Sequence, residues 1–415
     1  MDRIGIPTIC AIVPASADDL SIYNGKGLTR EHALVSAIME AVERQTAAEC
    51  RVRHRDRKPR RVRSGLDLRA CGIREEYMDR SIAFVEAYDI LHDAEIEVPK
   101  ALVQMPWHGD TPFPVTHTNG LASGFTTIEA VYHALFELVE RHLWALVHAR
   151  AHLRPRRILA TFFESLGAGG MVPAFRDRPV TGITLPTGNA VVDDLYRCVS
   201  AAGLRLRLVA MAEPHFPTAI LASIHEPAPG AEQFHAGCGC SWSPIHACVR
   251  AITEAVQARS ADIQGARENI LRADDPPSRF TTHTRRRPEL PYGRWYFDGP
   301  LMMMDLVELP DRSSDDLYEE LQRLVSAVAT VASRIAVVRL APPCASYSVV
   351  RVIVPELETT AIDGRLGAAT RKIININADP ATNPKIFPKK VAGASKKNGV
   401  ISQKTRENSG RFTTP

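Results

Sequence analysis

The sequence predicts a mixed α/β (α+β) fold in which helices pack on mixed sheets. Strand-like apolar runs occur at residues 82–85, 205–211, 335–340 and 349–354. Helical periodicity is clearest at residues 30–50, 127–150, 244–265 and 315–332. Because runs of both kinds are interspersed along the chain, helix and sheet are expected to share one core. The 415 residues, of which 45% are hydrophobic, are enough for a substantial core.

The overall composition argues against several classes of partner. The formal net charge is only +4, and much of the excess is local, so we do not expect a nucleic-acid partner. The chain has no apolar run of about 18 residues, so we expect neither a membrane span nor a membrane partner. The eight cysteines are scattered, which favours a cytoplasmic protein with reduced thiols over a disulfide scaffold. Composition leaves a homodimer open.

The first residues superficially imitate a signal peptide. We do not expect one, because Asp2 weakens the positive end and Pro7 and Pro14 interrupt the apolar stretch. Residues 9–13 are predicted to form a short buried strand instead.

The chain is predicted to contain one folded domain, residues 1–365, and a basic C-terminal tail, residues 366–415. From about residue 371 onward, the sequence has ten basic residues and only two acidic ones, Asp379 and Glu407, and the periodicity fades. Such a composition is typical of a disordered segment. The tail could recruit a partner or be an extension without a catalytic part.

Two further clusters each have a structural and a functional interpretation. Residues 51–63 carry seven arginines and Lys58; a solvated surface loop is favoured over a contact for an acidic substrate or phosphate. Cys238 and Cys240 could hold zinc with neighbouring His or Cys side chains, but the spacings fit no usual zinc site. These cysteines are therefore predicted to line a tight turn.

One pattern recurs at the start of three helices. If Thr29, Thr126 and Ser243 are the N-caps, polar residues follow each cap at offsets of seven, eleven and fourteen. Thr126 is followed by Glu129, as in a capping box, and Ser243 by a proline at the first helical position. The residues at these offsets are Ser36, Glu40 and Glu43 in the first helix, His133, Glu137 and Glu140 in the second, and Arg250, Glu254 and Gln257 in the third.

Residues three, four and seven positions apart share one helix face, so each helix presents a polar stripe. For one copy, the simplest interpretation is ordinary helix-forming sequence on a wet face, but three copies in register favour a shared role. The first stripe is flanked by apolar residues that make full exposure of its glutamates less plausible, namely Leu34, Val35, Ile38, Met39 and Val42. Five converging glutamates would repel one another unless a cation neutralised them. Mg²⁺ held by carboxylates together with a nucleotide triphosphate is the economical solution.

Small or flexible residues precede each of these helices. They occur at residues 24–27, 119–124 and 237–241. Such loops would let backbone N–H groups approach an anion at a helix N-terminus, although none matches a Walker A loop. Lys26 is predicted to be a phosphate ligand rather than a solvated turn lysine, because it lies beside the first helix.

Together these residues resemble the YcaO family, over roughly residues 3–365. The matching segments are Asn24-Gly25-Lys26-Gly27 with Ser36-x-x-x-Glu40-x-x-Glu43-Arg44; Asn119-Gly120 with Glu129-Ala130 and Glu137-x-x-Glu140-Arg141; Arg250-x-x-x-Glu254-x-x-Gln257-x-Arg259; and residues 349–358. Their order and spacing make a chance similarity improbable. Many family members have Asn where this chain has Phe125, so one polar contact to the nucleotide is expected to be missing.

The resemblance implies a YcaO-like fold around a nonclassical ATP and Mg²⁺ site. The implied metal ligands, which are also the catalytic residues, are Glu40, Glu43, Glu137, Glu140 and Glu254. The implied nucleotide contacts are Ser36, Glu129, Arg141 and Arg250, to which we add Lys26, Gln257 and Arg259. Sites of this kind stabilise charge on a transferring phosphoryl group.

The resemblance also implies a reaction, in which ATP phosphorylates a backbone amide oxygen of a peptide or protein substrate and a nucleophile then displaces phosphate. A sulfur donor would give a thioamide, and a Cys, Ser or Thr side chain of the substrate would give an azoline ring. The C-terminus lacks the Pro-x-Pro-x-Pro pattern common in azoline formers, which favours thioamidation with a TfuA-like partner. A nucleotide-binding accessory protein without catalysis is the alternative of another class.

Overall fold

The strands and helices of the protein are defined by a computed structural model, which describes residues 2–62, 65–108, 110–113, 117–165, 178–227, 233–265, 296–358 and 366–374. The strands are β1 (Thr8–Ile12), β2 (Ile22–Lys26), β3 (His54–Arg57), β4 (Ile82–Asp89), β5 (Ala94–Pro99), β6 (Leu121–Gly124), β7 (Val180–Ile183), β8 (Arg205–Met211), β9 (Thr218–Glu226), β10 (Gln233–Ser241), β11 (Leu301–Met304), β12 (Ala336–Arg339) and β13 (Ser348–Ile353). The helices are α1 (Arg30–Glu49), α2 (Thr127–His148), α3 (Arg154–Ser165), α4 (Ala190–Ala201), α5 (Pro244–Gln264), α6 (Leu317–Ala329) and α7 (Ala368–Ile373).

Within this part of the chain the strands form three sheets. β1 and β2 make an antiparallel pair. A six-stranded sheet has the order β3-β4-β12-β13-β6, with β5 also paired to β4, and a five-stranded sheet has the order β10-β9-β8-β7-β11. The pairing is antiparallel except between β7 and β11. The predicted mixed α/β architecture is therefore confirmed.

The second helix with a polar stripe, α2, lies at the centre of the core. It packs on β6 and β13 of the six-stranded sheet and also contacts β10 of the five-stranded sheet. Most of its residues are buried, including Leu135, Phe136 and Leu143. Because most of α2 is buried, Glu140 on this helix lies between packed layers rather than in open water.

Each helix with a polar stripe follows a strand directly, as β2-α1, β6-α2 and β10-α5. The strand and the helix approach so closely that there is no space for a side chain. A Cβ atom on Gly25 would lie 2.0 Å from the carbonyl oxygen of Ala33, and one on Gly237 would lie 2.2 Å from the amide nitrogen of Ala255. The prediction of a loop is wrong for Gly25 and Gly237, because they lie in strands and permit close helix packing. Contact of these segments with an anion stays a prediction.

The outer face of α1 also differs from expectation. Its buried residues are all alanines, such as Ala33 and Ala37, because the strand below leaves no space for larger side chains. Leu34, Val35 and Ile38 are about half exposed, at 47%, 48% and 47%. Glu40 and Glu43 are only partly exposed, as predicted, but Leu34, Val35 and Ile38 are not the residues that cover them.

Three local predictions need correction. The strand predicted at residues 9–13 exists as β1, but it is only partly buried. The basic segment at residues 51–63 is not only a loop, because it includes β3, whose four residues are all exposed. Cys238 and Cys240 lie within β10 rather than in a tight turn, and both are buried.

The start of the predicted tail is ordered. Leu366 and Thr370 are buried on either side of the start of α7. The buried carboxylate of Glu358 accepts hydrogen bonds from the backbone N–H groups of Gly367 at 2.8 Å and Thr370 at 3.0 Å. The rest of the predicted tail, residues 375–415, lies outside the described residues. No helix in the described part of the chain is long and apolar enough to cross a membrane.

Candidate functional site

The three helices begin at the predicted N-caps, which fixes the register of their polar stripes. The side chain of Thr29 accepts a hydrogen bond from the N–H of His32 at 3.2 Å. Thr126 and Glu129 form a reciprocal capping box. Ser243 precedes the proline at the first helical position and donates its hydroxyl to Asp311 at 3.0 Å. The offsets counted from these caps therefore describe real helix faces.

The glutamate eleven residues after each cap is held in the same way. Each of these carboxylates accepts a hydrogen bond from a backbone N–H just before or within the preceding strand. The three contacts are Asn24 to Glu40 at 3.0 Å, Gly120 to Glu137 at 3.1 Å, and Cys238 to Glu254 at 3.4 Å. The three strand-helix units therefore hold their carboxylates in equivalent positions.

The glutamates fourteen residues after the first two caps lie near the same group. Glu43 accepts a hydrogen bond from the hydroxyl of Ser123 at 3.4 Å, and burial raises its pKa well above the usual value, with Glu137 and Glu40 raising it further. Glu140 is 3% exposed, and burial raises its pKa to about 7 although neighbouring Arg141 opposes the shift. Burial likewise raises the pKa of Glu137. The carboxylates are close enough to repel one another, so the site favours an added cation.

Arginines from α2 and α5 face these carboxylates. The Nε atom of Arg141 lies 3.7 Å from Oε1 of Glu140. Burial alone would lower the pKa of Arg141, but the carboxylates of Glu140 and Glu254 raise it. The Nε atoms of Arg141 and Arg250 are both buried without a hydrogen-bond partner among the described residues. A buried N–H group without a hydrogen-bond partner is costly, and an oxyanion such as a phosphate would accept from it.

Lys26 and Gln257 connect the first strand-helix unit to the third. The ammonium group of Lys26 forms an ion pair with Glu254. The side-chain amide of Gln257 donates to the backbone carbonyl of Asn24. Both residues therefore lie at the predicted site, and Gln257 acts there through a backbone contact rather than as a charge.

Ser36 and Glu129, which were also predicted to contact the nucleotide, lie on α1 and at the start of α2. Ser36 is partly buried on the predicted stripe of α1. The Glu129 carboxylate accepts from the N–H groups of Phe125 at 2.7 Å and Thr126 at 3.0 Å, so it caps α2. Phe125 itself is 69% exposed.

Arg259 does not contact the five glutamates, because its guanidinium pairs with other carboxylates. Its Nε donates to Asp2 at 3.2 Å and its Nη1 to Glu226 at 2.5 Å, and the residue is 3% exposed. Arg259 thus forms ion pairs with Asp2 near the N-terminus and with Glu226 at the end of β9, which also pairs with Arg3. The geometry therefore gives Arg259 a structural contact, while its predicted contact with nucleotide stays a prediction.

Arg351 of β13, for which the sequence patterns predicted no role, lies near the carboxylates of Glu137 and Glu43. Its guanidinium donates to the carbonyls of Leu102 at 3.0 Å and His117 at 2.7 Å, and its Nη1 has no partner among the described residues. Burial lowers its pKa to about 10, against the opposing effect of Glu137 and Glu43. The only signal in the sequence was its place in the fourth segment of the family resemblance.

The donor set can hold Mg²⁺ and a polyphosphate, because it combines carboxylate oxygens with guanidinium and ammonium groups. Within the described residues, no three His, Cys, Asp or Glu side chains form a ready metal site. Instead, Glu40, Glu137 and Glu254 each accept hydrogen bonds from protein N–H groups. Carboxylate oxygens suit a hard cation, so binding requires some of them to turn from their present partners. Cys238 and Cys240 lie buried in β10 and belong to no group of three or more potential metal ligands among the described residues, so the structure offers no zinc site there.

Comparison with known proteins agrees with this architecture. The model of a family described as YcaO cyclodehydratase, ATP- and Mg²⁺-binding, matches residues 24–358. A Rhizobium leguminosarum bv. trifolii protein described as an uncharacterized protein in the tfuA 3' region is 32% identical over 373 residues, which are 86% of this chain and 81% of the relative.

Two solved structures share the fold. The first is YcaO from Methanopyrus kandleri bound with AMPPCP and Mg²⁺, which is 22% identical with a TM-score of 0.59 and covers 88% of this chain and 90% of that chain. The second is a heterocyclase in complex with substrate and cofactor, which is 19% identical with a TM-score of 0.61 and covers 81% of this chain and 45% of that chain.

Proposed function

The chain belongs to the YcaO family, and from that premise we propose that it uses ATP and Mg²⁺ to activate a backbone amide of a peptide or protein substrate. An amide is a poor electrophile because resonance stabilises its carbonyl. Transfer of the γ-phosphoryl group to the amide oxygen gives ADP and converts that oxygen into a leaving group. A nucleophile can then attack the amide carbon and release phosphate.

The observation that carries this proposal is that carboxylates and guanidinium groups lie together at one site. Five glutamates from three helices lie beside arginines whose buried Nε atoms have no hydrogen-bond partner among the described residues. A structural ion-pair network would use those donors internally, as Arg259 does with Asp2 and Glu226. Carboxylates that need a cation, next to guanidinium groups that need an anion, fit a metal-bound polyphosphate.

In the proposed site, Glu40, Glu43, Glu137, Glu140 and Glu254 would hold Mg²⁺, and Arg141, Arg250 and Lys26 would bind phosphate oxygens. The bound nucleotide and metal supply the phosphoryl group and neutralise its charge. The protein contributes fixed donors: Arg141 is held over the ring of Trp144, with 5.6 Å from Cζ to the ring centroid. The thiols of Cys238 and Cys240 are buried and uncharged, since burial raises the pKa of both. A buried, uncharged surface beside the arginines strengthens the arginine-phosphate attraction.

We extend the proposal to thioamide formation with a TfuA-like partner. Support comes from the relative in the tfuA 3' region, which is 32% identical to this chain. In this reaction a sulfur donor attacks the phosphorylated amide, sulfur takes the place of the amide oxygen, and phosphate leaves with that oxygen.

Cyclodehydration is the second candidate, supported by the description of the family and by the heterocyclase of similar fold. Here a Cys, Ser or Thr side chain of the substrate attacks the activated carbon. The product is an azoline ring, and the net change in the peptide is loss of water. The two candidates share the activation step and differ only in the nucleophile.

Reconstitution and mass spectrometry would test both candidates. The purified chain is combined with ATP, Mg²⁺, a sulfide source, a candidate substrate peptide and a TfuA-like protein. Replacement of oxygen by sulfur supports thioamidation, and loss of water supports cyclodehydration. An unmodified peptide together with unconsumed ATP would count against catalysis and favour an accessory nucleotide-binding role.

Two glutamates of α1 provide a matched pair of variants for this assay. Glu40→Gln removes a proposed metal ligand and should abolish product and ADP formation. Glu31→Gln changes an exposed glutamate in the first turn of the same helix and should leave both unchanged. Equal activity of the two variants would remove Glu40 from the proposed metal site.

A further inference from the structure

The ion pair between Lys26 and Glu254 joins two different strand-helix units. Lys26 is the last residue of β2, and Glu254 lies on the polar stripe of α5. The two side chains are 21% and 29% exposed, so the pair is largely shielded from water. An ion pair in such a position is stronger than one on an open surface.

In this contact the ammonium group of Lys26 binds Glu254, which is one of the proposed Mg²⁺ ligands. Glu254 has one carboxylate oxygen on the N–H of Cys238, at 3.4 Å, and the other on the ammonium group of Lys26. Both oxygens are therefore engaged by protein donors. A divalent cation could use this carboxylate only after the ammonium group moved away.

The backbones on both sides of the ion pair are fixed. Gln257, one turn beyond Glu254, donates to the carbonyl of Asn24 in β2. The close packing of Gly25 against Ala33 and Ala37 also holds β2 on α1. Any exchange of partners must therefore occur through the flexible side chain of Lys26 rather than by movement of the strand.

We infer that Lys26 is a positioning residue that couples binding of the cation to binding of the nucleotide. Without nucleotide, its ammonium group occupies the place of a cation on Glu254. When a triphosphate binds, its oxygens attract Lys26, and Glu254 becomes available to the metal. This inference rests on the proposed function.

The coupling has two opposite consequences for a variant without the ammonium group. Lys26→Met frees Glu254 permanently, so a divalent cation should bind more tightly in the absence of nucleotide. The same variant lacks a phosphate ligand, so nucleotide should bind more weakly in the absence of metal. A residue with a purely structural role would not shift the two affinities in opposite directions.

Binding of Mn²⁺, followed by electron paramagnetic resonance on the nucleotide-free protein, tests the inference. We expect Lys26→Met to bind Mn²⁺ about tenfold more tightly than the wild type, since it removes one competing charge from a shielded carboxylate. Lys26→Arg retains a cation on Glu254 and should behave like the wild type. In EDTA, Lys26→Met should bind a non-hydrolysable ATP analogue about tenfold more weakly.

A double-variant cycle separates the direct contact from a general effect of charge. In a Glu254→Gln background, adding Lys26→Met should change Mn²⁺ affinity less than about twofold, because the contact has already been lost. A tenfold effect that persisted there would overturn the inference, as would an unchanged or weaker Mn²⁺ affinity of Lys26→Met alone. Failure of the wild type to bind the nucleotide analogue with Mg²⁺ would instead contradict the proposed function, so the two failures are distinguishable.

Discussion

The backbone N–H of Gly120 donates a hydrogen bond of 3.1 Å to Oε2 of Glu137. Gly120 has a φ of +80°, and a Cβ atom there would lie 2.4 Å from the carbonyl oxygen of Val352. The glycine thus turns the chain into β6 and at the same time fixes a carboxylate of α2. The fold and the candidate site depend on the same backbone conformation at this position.

Substitution of Gly120 should therefore be costly for stability. Gly120→Ala combines left-handed strain with a backbone clash, and we expect a loss of about 3 kcal/mol in the free energy of unfolding. Gly188 is the matched control, because it has the same φ of +80° with no atom within 4 Å of a built Cβ. Gly188→Ala should cost only about 1 kcal/mol. Urea unfolding followed by circular dichroism measures both values, and equal losses would mean that the contact with Val352 is easily relieved.

Two arginines on α5 should respond in opposite ways to substitution. Arg250→Met removes a guanidinium with an unpartnered, buried Nε, so we expect an ATP analogue to bind at least about tenfold more weakly. Arg259→Met breaks ion pairs with Asp2 and Glu226, so we expect a loss of about 3 kcal/mol in stability with nucleotide affinity retained. Isothermal titration and urea unfolding of both variants check this. Loss of nucleotide affinity in the folded Arg259→Met variant would support the sequence-based assignment of Arg259.

The repeated register could be predicted from the sequence because N-caps are local signals. Thr29, Thr126 and Ser243 could be identified from their own neighbours, and the offsets counted from them gave the correct helix faces. The roles of Arg250 and Arg259 could not be separated in this way. They lie nine residues apart and therefore on opposite sides of α5, and only the packed partners show which side meets the carboxylates.

Other features depend on contacts between distant segments. The close approach of Gly25 to Ala33 requires knowledge that β2 lies beneath α1, whereas a sequence with Gly before a helix more often indicates a loop. The partners of Arg351 are the carbonyls of Leu102 and His117, which are far away along the chain. Because these partners are far from Arg351 in the sequence, local patterns could not predict its contacts.

Acid should destabilise the protein through a buried histidine outside the candidate site. His148 is 3% exposed and its ring stacks on that of His152, with centroids 5.2 Å apart. Burial, and then the charge of His152, lower the pKa of His148 from 6.5 to about 3. The unfolded chain therefore binds a proton below about pH 6.5 that the folded chain does not, and stability falls as the pH decreases through this range.

The contribution of His148 can be isolated with a variant that keeps a ring but does not titrate. Between pH 7 and pH 5 the wild type should lose about 2 kcal/mol more stability than His148→Phe. Urea unfolding at both pH values measures the difference, which does not depend on the absolute stability of the variant. Parallel losses in the two proteins would show that His148 becomes protonated without unfolding.

The most direct test of the proposed site is the Mg²⁺ dependence of nucleotide binding. Isothermal titration of a non-hydrolysable ATP analogue is compared with and without Mg²⁺, for the wild type and for a Glu40→Gln, Glu137→Gln double variant. We expect Mg²⁺ to tighten binding to the wild type at least about tenfold, and the double variant to bind equally with and without Mg²⁺ through its arginines. Binding to the wild type that is absent, or unaffected by Mg²⁺, would contradict the assignment of these glutamates to a metal-nucleotide site.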